Sequence, residues 1–380
     1  MIAAVEKMKV LLITPYFFEP HRWMISGYKS ALGLSGLGHD VVVFTSGSRG
    51  QPEVEEISAH LRVYRFRDFF LPDPVNFGIM PFLFWRVWKV LRREKPTHFL
   101  VVKYMFHTSL AALFLKLLGK KVVVMTDTFP GISWFSRSRF VNVVMWLYAR
   151  TLGMLVLKTA DRVVLLHEGL VATAQRFGIR RYQVHHNGVD LDLFRNPELP
   201  DDVTTGEDEV LVTYVGRLES VKGYDLLLGI AAEILGRQPK ARFLFVGDVS
   251  GRSDLVARHQ QPRLRFLGHR TDVPSLLAAS DVFALASYSE GLPNALMEAM
   301  AAGCACVATA VGGVPWLLEH GGAGLIVPPG DRKALGEAVE KLIVDPELRA
   351  RLGSRARAVI AEKYDLESLS RELAGILGAA

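Results

Sequence analysis

The stretch VFALASYSEGLPNALMEAMAAG, Val282 to Gly303, reads as a strand, a tight loop and a helix in immediate succession. Val282–Ser287 is almost continuously apolar, as in a strand covered on both faces. Pro293 suits the first turn of a helix, where its missing N–H costs nothing, and a run of helix formers follows it. Two carboxylates flank the helix start. Glu290 lies in the loop, and Glu298 lies about a turn and a half inside the helix, with seven residues between them. Gly291 lets the backbone approach a ligand closely, and the free amides on either side of Pro293, those of Leu292, Asn294 and Ala295, favour an anion.

The same strand-then-helix unit recurs along the chain. KVLLITPY, DVVVFTS, THFLVVK, KKVVVMTD and RVVLLHE read as strands in the first half. VLVTYVGRL, ARFLFVGD, RLRFLG, VFALAS, CACVATA and AGLIVPP read as strands in the second. Helical stretches such as GYKSALGLSGLG and GYDLLLGIAAEILGR lie between them. Apolar strands alternating with helices define an α/β protein with parallel sheets. Two such series predict two Rossmann-like domains facing each other, residues 1–188 and 189–365, with a helix at about 366–380 packing back on the first. The polar stretch Asn187–Glu209 reads as the linker and approach to the second domain. In open parallel sheets ligands bind at the carboxyl ends of the strands, so the cleft between two such domains is the expected site.

Composition narrows the class. The 380 residues are half hydrophobic and 22% charged, which fits a folded globular chain. The two cysteines, Cys304 and Cys306, make no disulfide framework and no zinc spacing, and read as buried apolar residues of a reducing cytosol. Residues 1–190 carry 25 Lys and Arg against 13 Asp and Glu, a net +12, whereas residues 191–380 carry 20 against 26, a net −6. The basic half points to anionic lipid or a phosphate-bearing substrate. Met1–Tyr16 leads straight into a strand and does not read as a signal peptide. The apolar runs Val75–Leu91 and Phe140–Ala160 are interrupted by Arg86 and Lys89, and by Arg150 and Lys158, so neither is expected to span a membrane. The chain is expected in the cytoplasm, peripheral on the inner face of the cell membrane.

The loop after Val210–Val215 carries further chemistry. Gly216 ends the strand, Arg217 projects from the loop, and Lys222 and Gly223 stand just before a helix. A guanidinium and an ammonium beside a helix N-terminus suit a diphosphate. An alternative is an Arg217–Glu219 surface pair with Lys222 solvated. No GxxxxGK[ST] loop occurs, and the glycines of Gly33–Gly38 are neither in GxGxxG order nor after the first strand, so a dinucleotide fold is discounted. Glu290 and Glu298 would then bracket a ligand with a diphosphate in the middle and polyols at both ends, the form of a nucleotide sugar.

At this point YVGRLESVKG, EGLPNALMEAMAAG, VGGVPWLLEHGGAGLIVPPGD and HHNGVDLDLF together resemble the retaining glycosyltransferases of family 4, which have the two-domain GT-B fold. The resemblance implies that Glu290 meets the donor sugar, Glu298 the nucleotide ribose, and Arg217 with Lys222 the diphosphate. It places the Gly291–Asn294 backbone along the sugar and phosphate, with the amides of Gly291, Leu292 and Asn294 and the ring of Pro293. Gly247 and Asp248, and the segment Leu267–Arg270 with His269 and Arg270, fall at the nucleobase loops. The family's usual double glycine is Ser26-Gly27 here, with Gly27 left to approach the donor phosphate. Where the family often has a histidine, Thr126-Asp127 stands, so Asp127 becomes the acceptor-side polar residue, with a turn aspartate as the alternative. His107 and His167 also follow strand-like runs, where a lone histidine is more often structural.

The implied reaction transfers a hexose-type sugar from a nucleotide-diphosphate sugar, the co-substrate, with retention. A front-face displacement is implied, with the leaving diphosphate helping to take the acceptor proton. No cofactor or metal is required by this scheme. PFLFWRVWKVLRREK and WFSRSRFVNVVMWLYAR mix aromatics with arginine and lysine, which suits a membrane interface and a lipid-linked or membrane-proximal glycan acceptor. The alternative for both is a core helix with snorkelling basic ends. An epimerase, a phosphorylase or a non-catalytic sugar-nucleotide binder would share the fold. A nucleic-acid partner is not expected, because no nucleic-acid motif accompanies the basic charge.

Overall fold

A computed structural model describes residues 6–17, 25–47, 50–71, 77–129, 138–195, 197–198, 200, 202–203, 206 and 208–380. The chain divides into two compact units, Met1–Gly188 with Leu366–Ala380, and Val189–Asp365.

The first unit is built on an eight-stranded sheet. Its strands in chain order are β1 Lys9–Ile13, β2 Asp40–Gly47, β3 Val54–Ser58, β4 Leu61–Arg67, β7 His98–Val102, β8 Val123–Thr126, β9 Arg162–Leu165 and β10 Tyr182–Val184, while β5 Phe69–Leu71 and β6 Phe77–Ile79 form a separate hairpin. The sheet order is β10-β9-β8-β7-β1-β2-β4-β3, parallel except for the edge strand β3. The central strands are valine-rich and buried on both faces, as parallel strands between helix layers must be. Sequence reading passes over β3 and β4 because LRVYRFR carries an arginine at every second or third position. The sheet accommodates one of these by pairing: Arg65 is buried and lies 2.5 Å from Glu55 of the neighbouring strand.

The helix Leu83–Glu94 ends on a buried carboxylate that ties it to the sheet. Glu94 accepts from the Tyr64 hydroxyl, from Lys9 Nζ at 2.9 Å and from Arg62 at 3.0 Å. Burial alone would raise its pKa, but Tyr64, Lys9 and Arg62 outweigh burial and hold the carboxyl down to about 2. A depressed carboxylate stabilises the fold above its unfolded pKa, and that contribution disappears as pH falls towards the folded value. Glu94→Gln should therefore cost about 1–3 kcal/mol at neutral pH. Denaturant titrations should show the gap from wild type closing as pH drops from the ordinary glutamate range towards 2.

Helix Leu366–Gly378 packs on helix Ile25–Gly36 within this unit. Their approach is close enough that a Cβ at Gly33 would sit 1.8 Å from Ser370 Oγ. The stretch Arg139–Thr159 is long and apolar enough by composition to cross a membrane, and 39% of its most apolar part is buried. It is not one continuous helix, because Arg139–Arg150 and Leu152–Thr159 are separated at Thr151, which has φ −109° and ψ −96°.

The second unit holds a six-stranded, wholly parallel sheet of β11 Val210–Val215, β12 Ala241–Val246, β13 Leu264–Gly268, β14 Val282–Leu285, β15 Ala305–Thr309 and β16 Leu325–Val327, in the order β13-β12-β11-β14-β15-β16. Apolar clusters cover its two faces, one around Leu227, Ile234 and Val339, the other around Met297, Met300 and Ile360. Both cysteines are buried, and Cys304 Sγ lies 3.1 Å from the Leu277 carbonyl. The start of the expected linker belongs to this unit's core: the Val189 amide donates to Tyr364 O at 2.7 Å, and Phe194 is buried.

Candidate active site

Because β11, β12, β14 and β15 run parallel side by side, the loops at their carboxyl ends gather on one edge of the sheet. The Gly216 amide, at the end of β11, donates to Val246 O at 2.9 Å. Gly247 makes the reciprocal approach possible, since a Cβ there would lie 2.0 Å from the Gly216 carbonyl oxygen. The buried Tyr214 hydroxyl donates to Arg217 O at 2.8 Å and fixes the loop. Arg217 itself stays exposed, with its guanidinium 2.7 Å from Glu219, as the surface-pair alternative anticipated. A 3-10 turn Ser220–Lys222 follows, and Gly223 takes φ +65° to enter helix Tyr224–Arg237. Any other residue there would be strained and would drive its Cβ to 2.0 Å from Ala286 O.

That tight crossing brings Lys222 to the loop after β14. Lys222 is not solvated: its Nζ lies 2.8 and 2.9 Å from the two carboxylate oxygens of Glu290. Ser287 Oγ donates to the same carboxylate at 2.7 Å, and Thr309 Oγ1 at the end of β15 anchors the Ser287 carbonyl at 2.6 Å. The loop after β15 closes on this arrangement from the other side. Gly312 has φ +54°, and a Cβ there would meet the carbonyl oxygens of Glu290 and Gly291 at 2.2 and 2.5 Å, while the Gly313 amide donates to Gly291 O at 2.7 Å. Three strand-end loops thus hold one mostly buried lysine–glutamate pair. Ser287, Thr309 and Gly312 were not singled out from the sequence, because their roles depend on which strands are neighbours.

Helix Asn294–Ala302 begins one residue later than expected, with Pro293 as its N-cap. Leu292 and Pro293 are buried, and the buried Asn294 Oδ1 has no hydrogen-bond partner. Glu298 is half-buried in the helix's second turn. The β12 and β13 loops stand differently. Asp248 accepts from the Ser250 amide at 2.8 Å, and His269 is exposed. Arg270 is clamped between two carboxylates, Asp202 at 2.8 Å and Asp272 at 2.6 Å, so here its guanidinium ties the Asp202 segment to its own loop.

In the first unit the strand-end residues form a second cluster. Asp127, after β8, is no simple turn residue: it makes an ion pair with Lys103, at the end of β7, and both side chains are largely buried. Burial pushes the Asp127 carboxyl up, but Lys103 outweighs it and keeps the carboxyl below the ordinary aspartate range. The other carboxylate oxygen, Oδ1, is buried without a partner. Lys103 holds φ +68°, a left-handed conformation costly for a side chain with a Cβ. His167, after β9, is fully buried and donates from Nε2 to Asp127 O at 3.2 Å. Burial depresses its pKa, which favours the neutral imidazole. His107 accepts the Met80 amide at Nδ1, 3.3 Å away, a structural role. Gly27 lies within helix Ile25–Gly36, and the space a Cβ would need is taken by Thr14 Oγ1 at 2.8 Å. The room that glycine leaves is therefore used for helix–sheet packing. Lys103 is the residue of this cluster that sequence reading missed. It looks like one more strand-end lysine until β7 and β8 are known to be adjacent.

Two α/β units built on mainly parallel sheets, one with a basic loop and a carboxylate gathered at its strand ends, form an arrangement suited to an anionic, polyhydroxylated ligand. Family comparison agrees: residues 28–193 match "Glycosyltransferase Family 4" and residues 196–359 match "Glycosyl transferases group 1". The chain belongs to glycosyltransferase family 4 and has the GT-B fold. It is 35% identical over 176 residues, 45% of this chain, to an alpha-D-kanosaminyltransferase of Streptomyces kanamyceticus, and the match spans 46%, about half, of that relative's length. It is 28% identical over 362 residues, 90% of this chain and 76% of the relative, to a phosphatidylinositol N-acetylglucosaminyltransferase component of Arabidopsis thaliana. The structure of Anabaena Alr3699/HepE in complex with UDP-glucose superposes with TM-score 0.73 at 20% identity, covering 98% of this chain and 100% of the other.

Proposed function

We propose that this glycosyltransferase moves a hexose-type sugar from a nucleotide-diphosphate sugar to a lipid-linked or membrane-proximal glycan, with retention at the anomeric carbon. The observation that carries the reading is the Lys222–Glu290 pair, held at 2.8 Å on the sheet edge by Ser287 and by the glycine loop. Lys222 and Arg217 supply positive charge for a diphosphate. Glu290 and the Gly291–Asn294 backbone supply acceptors and amides for the sugar. The glycosidic C1–O bond to the diphosphate breaks, and its electron pair goes to the departing phosphate oxygen. The acceptor oxygen forms the new bond on the same face, and its proton passes to the departing phosphate. Lys222 and Arg217 stabilise the charge that grows on that phosphate, and Glu290 orients the ring. Within this scheme no protein nucleophile or metal is required. A structural neighbour that holds UDP-glucose supports the donor class, and a relative named for phosphatidylinositol that covers most of the chain supports a lipid acceptor.

The test is thermal stabilisation of the purified protein against UDP-, GDP- and ADP-sugars. One nucleotide class should raise the unfolding midpoint, by mass action on the folded state alone. The shift should shrink or vanish in Lys222→Ala and Glu290→Ala. Variants that shift as far as wild type would sink the assignment. Release of free nucleotide only when acceptor is present would separate transfer from epimerisation.

A further inference from the structure

Two helices of the first unit carry large apolar side chains outward as well as inward. In Leu83–Glu94 the inward positions are Leu83, Val87, Val90 and Glu94, while Phe84, Trp85 and Trp88 face solvent. Phe82, just before this helix, is 78% exposed and held at φ +54°, a strained and wetted position for a phenylalanine. In Arg139–Arg150 the inward positions are Val141, Met145 and Ala149, and Phe140, Val143, Trp146 and Leu147 face out, Phe140 at 76% exposure. Hairpin β5–β6 precedes the first helix in the chain and packs against the second. Its inner ring Phe77 stacks on Phe106 and meets Tyr148, while Phe69, Leu71 and Ile79 stay exposed. Clustered exposed aromatic side chains of this kind mark an interaction site.

The charges that the two helices expose have one sign. Glu94, the one acid of the first helix, is buried, and the second helix has none. Each outward tryptophan carries a cation four residues later, folded over its ring: Lys89 over Trp85 at 4.7 Å, Arg92 over Trp88 at 4.9 Å and Arg150 over Trp146 at 4.4 Å. A second copy of the same face would oppose cation to cation. An anionic lipid headgroup does the reverse. It takes the cation from the ring, and the freed indole settles at the headgroup level where tryptophan is favoured.

We propose that these three tryptophan–cation pairs, with the aromatic helix faces and the β5–β6 hairpin, form a docking surface for anionic membranes. In it each cation exchanges its indole for a lipid phosphate as the ring enters the interface. The surface adjoins the first unit's strand-end cluster: Met105 and Phe106, just after Lys103, pack with Val141 and Met145, and Thr128 Oγ1 donates to Met105 Sδ at 3.6 Å. A lipid-borne acceptor would be presented beside Lys103 and Asp127. The inference deepens the acceptor reading above, yet it needs no sugar nucleotide to be tested, so its failure and that of the donor site are separable.

The experiment is flotation of the full chain with vesicles of phosphatidylcholine alone or mixed with phosphatidylglycerol, at low and high salt. Wild type should float with the mixed vesicles, lose binding at high salt, and show a blue shift of tryptophan emission. K89Q/R92Q/R150Q should bind the mixed vesicles about a hundredfold more weakly, at about fivefold per cation. W85S/W88S/W146S should fail to float even at low salt. All six side chains lie at the surface, so unfolding midpoints should be unchanged. If the tryptophan variant does not fold, Phe140→Ser with Val143→Ser replaces it. Val344→Ser, an exposed apolar site in the other unit, should behave as wild type. Equal flotation with neutral vesicles, or variants that bind like wild type, would overturn the proposal. So would resistance to alkaline carbonate extraction, which indicates a span, or a solution dimer abolished by the tryptophan variant.

Discussion

Lys222→Ala should lower the turnover of donor sugar about a hundred- to a thousandfold, the loss seen when one preorganised stabiliser of transition-state charge is removed. Nucleotide release with the donor that gives the largest thermal shift is the measurement. The structure explains why the effect is not merely electrostatic. Lys222 Nζ binds both oxygens of Glu290, whose only other side-chain donor among the described residues is Ser287. Removing the amine leaves a mostly buried carboxylate with one hydroxyl and should cost about 1–3 kcal/mol of stability. The double variant Lys222→Met with Glu290→Gln removes both charges and should recover most of that stability while remaining inactive. A double variant as active as wild type would show that the pair serves the fold and not the reaction.

The second large effect lies in the other unit. Lys103→Met should cost about 3–5 kcal/mol at neutral pH, because it strands the Asp127 carboxylate in a largely buried site. Asp127→Asn should be costly for the opposite reason, and the double variant should be less unstable than the two single losses together predict. The acid profile gives an independent check. Asp127 titrates below the ordinary aspartate range in the folded chain, so its contribution is present above that range and fades as pH falls through the folded value. Wild type should lose this increment on acidification, whereas in Lys103→Met the increment should be absent throughout. Denaturant titrations across acid pH measure both curves, and superimposable curves would remove the ion pair from the account. If Asp127 also receives an acceptor hydroxyl at its unpartnered Oδ1, Asp127→Asn should reduce transfer more than its stability loss explains.

Much of this molecule was legible in one dimension. Apolar runs four to eight residues long, separated by helical patterns, identify parallel sheets because a strand buried on both faces cannot alternate polar and apolar residues. Gly216, Gly223 and Pro293 stand where strands give way to helices, and the loops they mark are the loops that hold the candidate donor site. Two of the strands that the sequence reading passed over carried charge. Strands β3 and β4 contain arginines and glutamates that satisfy one another across the ladder, so their hydrophobic pattern is broken in sequence although the pairing is sound in space. Arg270 shows the converse: a loop arginine that looked available is closed between Asp202 and Asp272.

The sequence by itself determined the local alternation, the position of each turn and the chemical types present at the strand ends, because these depend on residues a few places apart. Tertiary structure alone decided which of those groups meet. Lys222 and Glu290 are 68 residues apart, and Ser287 and Thr309 are 22 apart. They touch because β11, β14 and β15 are neighbours in the sheet, an order set by how the whole apolar core closes. Lys103 and Asp127 meet for the same reason at β7 and β8. The outward tryptophans required the fold as well: aromatic helices of this composition serve equally as core, and only the packing of Val87, Val90, Val141 and Met145 inward leaves their opposite faces to the solvent.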